Sequence, residues 1–254
     1  MRVRTRVALI AGVVVSLILA GATAIRTAHA QRRGGRGIFV EPNAKYDGKF
    51  TFVRLRYRVY GRSGWEFDYP AMERNFMTIL KDLTSMQLHQ RESNIYDMDD
   101  PELFKYPIAY LSEPGYWYPS KSEAEGLRRY LAKGGFLIVD DFYFNEWENF
   151  ERSMRMVIPN VQFQKLTVNH PIFDSFFHIS TLDGMTHPDN RNAKAIYYGI
   201  YENNDPTRRL IAIVNYNNDV GDYMEWSGEG WYPVNMSNDA YKLATNYIIY
   251  GLTH

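Results

Sequence analysis

The sequence predicts an α/β fold in which strands alternate with amphipathic helices around a mostly parallel central sheet. Three observations predict it. Short apolar runs bounded by turn residues recur along the chain, as at 107–112 (PIAYLS) and 136–139 (FLIV). Between them lie segments with apolar residues at helical spacing, such as Met72, Phe76, Ile79, Leu80 and Leu83. FLIV also lacks the alternation of a half-exposed strand, as expected of a central parallel strand covered by helices on both faces.

The elements follow in order. Residues 50–57 (FTFVRLRY) alternate and are rich in β-formers, which predicts a strand. The loop GRSGWEFDYP carries Trp65 and Asp68, and Pro70 opens a helix. The strand at 107–112 leaves through EPGYWYPS. Ser120 and Glu123 form an S-x-x-E capping box for the next helix, Leu127, Tyr130 and Leu131 give its buried stripe, and Gly134 suits a left-handed cap. FLIV then runs into Asp140 and Asp141, and Asn145-x-x-Glu148 opens a helix with Trp147, Phe150 and Met154 on one face. Further strands are expected at 161–166, 195–201 and 210–216, and a last helix at 239–252.

The chain has 254 residues, 45% of them hydrophobic, enough for one substantial core. It has no cysteine, which excludes disulfides, thiolate metal sites and a Cys nucleophile. MRVRTR, an apolar stretch at 7–25 and the small residues of Ala28-His29-Ala30 read as a signal peptide cleaved after Ala30. The alternative is an anchor retained at 7–25, since roughly 20 apolar residues span a bilayer. We therefore expect a leader at 1–30, a linker at 31–49 and a single α/β domain at 50–254, periplasmic or secreted. Beyond residue 37 the chain holds 22 basic and 29 acidic residues, a net charge of −7. That balance excludes a phosphate-backbone binder, so no nucleic-acid partner is expected. Membrane contact is expected only through an uncleaved leader.

Ligands of open α/β sheets bind outside the carboxyl ends of the strands. The expected exit loops share a composition: Trp65 and Asp68; Glu113, Tyr116 and Trp117; Asp140 and Asp141, with Trp147 close behind. Carboxylates accept bonds from hydroxyls and aromatic faces stack on sugars or cations. Trp65, Asp68, Glu113, Tyr116, Trp117, Asp141 and Trp147 are thus the binding candidates. The competing reading makes the acids helix caps and the rings a lid over the sheet. Neighbours on a strand point to opposite faces, so Asp140 and Asp141 are expected to diverge. Asp140, Asp141, Glu113 and His170 are the groups to test for acid–base work. The run Asp97-x-Asp99-Asp100 and the segment 215–222 (NYNNDVGD) read as turns. No H-E-x-x-H and no glycine-rich nucleotide motif occurs, so neither a metal nor a cofactor is expected.

FTFVRLRY, W-x-x-DYP, DPELFKYPIAYLSEPGYW, LRRYLAKGGFLIVDDF and the closing NYIIYGLTH resemble a bacterial family of unknown function, domain-of-unknown-function family 4159, from about residue 50 to the end. The resemblance implies a flavodoxin-like three-layer fold similar to the class I glutamine amidotransferase-like (ThuA-like) group. It also implies an envelope setting, since the family occurs behind signal peptides or fused behind BatA-type membrane proteins with von Willebrand A domains. The amidotransferase nucleophile would fall within Val139-Asp140-Asp141-Phe142-Tyr143, where there is no Cys or Ser, and the bulky neighbours oppose the strained turn of a nucleophile elbow. The expected function is a non-catalytic ligand-binding or protein-interaction domain of the cell envelope. Its partners would be a polar small molecule, a glycan or a peptide, or a complex with BatA-type or von Willebrand A proteins. The alternative is a hydrolase acting on a carbohydrate or cell-wall substrate through carboxylates.

Overall fold

A seven-stranded sheet of order β2-β1-β3-β4-β9-β8-β5 organises the protein, seen in a computed structural model that describes residues 40–60 and 64–254. The expected leader and residues 31–39 of the expected linker lie outside the described residues. The strands are β1 (Phe50–Arg56), β2 (Leu88–Asp97), β3 (Ile108–Ser112), β4 (Phe136–Asp140), β5 (Gln164–Lys165), β8 (Ile196–Tyr201) and β9 (Leu210–Tyr216). The first five in that spatial order, β2-β1-β3-β4-β9, are mutually parallel, and β8 and β5 extend the sheet antiparallel. A separate two-stranded ribbon pairs β6 (Thr186–His187) with β7 (Asn190–Lys194).

Helices cover both faces, making three layers. The helices are α1 (Ala71–Leu83), α2 (Lys121–Ala132), α3 (Glu146–Val157), α4 (Val220–Glu225) and α5 (Val234–Thr253). α1, α4 and α5 pack together on one face, and α2 and α3 on the other. On the first of these faces the core joins Phe76 and Leu80 of α1 and Ala244, Tyr247 and Ile248 of α5 to Tyr110, Ile138 and Ile213 of the sheet. With both faces covered, β3 and β4 are buried at every position, which is why FLIV shows no alternation.

Local signals act as their chemistry requires. Ser120 Oγ accepts from Glu123 N (3.2 Å) while Glu123 Oε2 accepts from Ser120 N (2.7 Å), so α2 starts at a complete capping box. Gly134 ends it at φ 107°. Asn145 makes no side-chain cap for α3; instead Glu146 Oε2 accepts from Tyr143 N at 2.7 Å. α5 begins at Val234, a full turn before the expected start, and the strand expected at 161–166 narrows to β5. Residues from Glu41 onward belong to the compact unit: Asn43 bonds both the N–H and the C=O of Ile95 in β2. Among the described residues no helix is long and apolar enough to cross a membrane.

Candidate functional site

The strand order reverses between β1 and β3, so the connections leaving these strands part to opposite faces and open a crevice at the carboxyl edge. Adjacent register fixes what stands there. Ser112 at the end of β3 is opposite Asp140 at the end of β4, and Asn215 follows the β4–β9 pair Val139–Val214.

Asp140 is wholly buried and answers to three donors: Tyr110 Oη (2.9 Å), Asn215 Nδ2 (3.0 Å) and Gly221 N (2.9 Å). A side chain at Gly221 would meet Tyr110 and Asp68 oxygens at 2.7 and 2.8 Å, so the close approach of α4 to Asp140 needs a glycine there. Burial and the neighbouring Asp141 charge push Asp140 up to about 6, against the pull of those hydrogen bonds. Asp141 lies one residue past β4, and its carboxylate takes different partners from that of Asp140. Its Oδ2 accepts from Ser112 Oγ (3.1 Å), and its Oδ1 stands 3.5 Å from His187 Nε2. Asp141 has φ 66°, so the position after β4 does adopt the left-handed turn that the sequence argued against. Asp tolerates this region better than most residues, which is the physical reason the bulky neighbours did not prevent it.

More acids join from segments that carried no catalytic signature. Asp219, after β9, is 5% exposed and caps α4 by accepting from Asp222 N at 2.7 Å. Asp222 accepts from Tyr232 Oη, and a carboxylate oxygen of each of Asp68, Asp222 and Glu225 lies within 4.8 Å of the others. Burial raises Asp68 and Asp219 well above the usual carboxylate range, with Asp141 adding to both. Burial and the Asp222 charge push Glu225 up to about 7. The counter-charge is small. Arg54 is the one buried Lys or Arg among the described residues, and it is engaged by Glu73 (Nε to Oε1, 2.5 Å) and by the carbonyls of Trp65 and Phe67 (2.8 and 2.9 Å). Those bonds hold the loop that carries Asp68.

Several expected site residues are placed differently. Trp117 has no exposure, and its carbonyl accepts from Asn149 and Ser153 of α3, so it is core and cannot stack on a ligand. Trp65 is 8% exposed and contributes a carbonyl, not a ring face. Trp147 packs among Phe142, Phe150, Phe163, Tyr198 and Tyr216, an aromatic cluster on the α3 side of the sheet. His170 lies at the opposite edge, its ring against Tyr250, which packs on Phe136 at the start of β4. There its Nδ1 accepts from Ile172 N (3.2 Å) to begin a 3-10 turn. Burial and nearby His254 lower its pKa. Glu113 (φ 50°) stays at the rim, where Tyr57 Oη bonds its carbonyl at 2.7 Å, and Tyr116 Oη bonds Glu146 at 3.2 Å. Asp97 and Asp100 serve structure, pairing with Arg56 and capping the turn at Pro101–Lys105.

The fold and the rim define a flavodoxin-like α/β domain whose topological switch point is lined by carboxylates. The chain belongs to the family described as Domain of unknown function (DUF4159), which it matches over residues 51–252. No curated protein matches it.

Proposed function

We propose that the chain is an exported binding module of the bacterial cell envelope, not an enzyme, and that its ligand seats at the carboxyl edge of the sheet. One observation carries this reading: Asp68, Asp141, Asp219, Asp222 and Glu225 gather at the switch point, where among the described residues the one buried Lys or Arg is Arg54, which pairs with Glu73. Such a rim favours a ligand rich in donors, either the hydroxyls of a glycan or the amines of a basic peptide. Asp140 supports the non-catalytic reading, because its three internal donors leave it little freedom to exchange protons with a substrate. The likeness to amidotransferase-like (ThuA-like) domains fits the layered sheet, and the missing Cys or Ser after β4 fits a binding role.

The test is a glycan array and a basic-peptide panel read by calorimetry, run with Asp222→Asn and Glu225→Gln. Binding that weakens at least tenfold in both variants supports the reading; binding unchanged in both sinks it. A pull-down from the envelope fraction tests the proposed BatA-type or von Willebrand A partners. A second reading, carboxylate-based hydrolysis, is favoured by Asp141 in a left-handed turn facing His187. Turnover of any arrayed glycan, abolished by Asp141→Asn, would establish it in place of the first.

A further inference from the structure

His187 is the group at this edge that neither the fold nor the proposed ligand explains. It ends β6 and is 2% exposed, with its ring centroid 4.4 Å from that of Tyr143. Nδ1 accepts from Asp189 N at 3.2 Å. Nε2 is buried and has no hydrogen-bond partner. Asp141 Oδ1, 3.5 Å away, is beyond an ordinary hydrogen bond. A buried polar nitrogen left in this way is costly, and such orphans are rare unless something stands between the groups.

Three buried residues surround that gap. A ring nitrogen of His187 and a carboxylate oxygen from each of Asp141 and Asp219 all lie within 4.8 Å of one another. We propose that these three residues hold a divalent transition-metal ion of the Zn²⁺ or Mn²⁺ class.

The geometry suits it. An ion about 2.1 Å from both His187 Nε2 and Asp141 Oδ1 would subtend an angle of about 113° across their 3.5 Å separation, close to tetrahedral. One imidazole with two carboxylates and no thiolate favours a borderline or hard divalent ion over Cu(I). Both carboxylates are already oriented, Asp141 by Ser112 Oγ and Asp219 by Asp222 N, as outer-sphere partners orient ligands. Charge points the same way. The buried acids Glu73, Asp140, Asp141 and Asp219 face a single buried arginine, and a dication offsets the excess. Coordination through Nε2 requires the ring proton on Nδ1, so the contact from Asp189 N opens; one long hydrogen bond is small beside coordination bonds. Three protein ligands leave a position open for water or for a group of the ligand. The ion does not depend on that ligand, and each is measured separately.

The full chain, stripped with chelator, is titrated with ZnCl₂ and MnCl₂, with CaCl₂ and MgCl₂ as hard-ion controls, by calorimetry and by thermal unfolding. The expected result is one equivalent of Zn²⁺ or Mn²⁺ bound with a rise in Tm, and d–d absorption on adding Co²⁺. His187→Gln and Asp219→Asn should abolish binding, and Ser112→Ala, which removes the hydroxyl that bonds Asp141, should weaken it roughly 10–100-fold. Circular dichroism reports whether each variant folds; if the ligand variants do not, Ser112→Ala and the Co²⁺ spectrum decide. No saturable Zn²⁺ or Mn²⁺ binding, or undiminished binding in a folded His187→Gln, overturns the proposal. Glycan and peptide binding measured in chelator tells its failure apart from that of the binding-module reading.

Discussion

Replacing Arg54 with methionine should cost more stability than almost any other single change. The guanidinium has no exposure and its partner Glu73 is 2% exposed. Removing one member of a buried pair leaves the other charge without compensation, a loss of about 3–5 kcal/mol. The Trp65 and Phe67 carbonyls also lose their donor, each worth about 1 kcal/mol. Glu73→Leu alone should cost about as much as breaking the pair from the other side, about 3–5 kcal/mol. The double variant Arg54→Met/Glu73→Leu removes both charges and keeps apolar volume, so what is lost is the carbonyl bonds and the guanidinium's contact with the Tyr110 ring, 5.0 Å from its centroid. It should fall about 2–3 kcal/mol below the parent, far less than the sum of the single changes. Urea unfolding of all four proteins closes the cycle. A cost below about 1 kcal/mol for Arg54→Met would refute the reasoning, as would a double variant as unstable as the sum of its singles.

Ser120→Ala should lower stability by about 1 kcal/mol, the worth of an N-cap bond, visible as a reduced Tm. Trp117→Ala should cost about 3–5 kcal/mol as a core truncation, and the milder Trp117→Phe should leave metal and ligand affinity unchanged, since the ring is packed under α3. His89 reports on pH: burial weighs against its charge, but the bonds to Asp47 and Glu92 outweigh it and raise the ring above its usual 6.5. A raised pKa in the folded state means that this contribution is fully present below the usual value and fades as pH rises through the raised one. His89→Gln should therefore flatten the slope of the urea midpoint as pH rises above 6.5.

The fold was readable wherever local chemistry and tertiary setting agree. The capping box marks α2, the unalternating run marks β4, and the helical stripe of Met72, Phe76 and Leu80 marks α1. β2 was not readable, because LHQRESNIYD is polar at its start and buried only from Ser93 to Tyr96, the pattern of an edge strand. The rim was half readable. The rule that strands discharge into a common edge finds Asp68, Asp140 and Asp141. Applied to β9 it also reaches Asp219 and Asp222, but NYNNDVGD carries the composition of a plain turn. His187 had no signal of its own: a short ribbon brings it to Asp141, and no sequence spacing encodes that meeting. The tryptophans misled because loop composition does not separate a ring on the rim from one that plugs the core, as Trp117 does.

The account's central claim about the carboxyl edge of the parallel strands is that His187, Asp141 and Asp219 hold a metal ion there. The most direct measurement is anomalous diffraction from crystals grown with Zn²⁺, recorded on both sides of the zinc edge. The account predicts a peak within coordination distance of His187, Asp141 and Asp219. A map with no peak there, and zinc only at surface histidines such as His89 or His178, would contradict it.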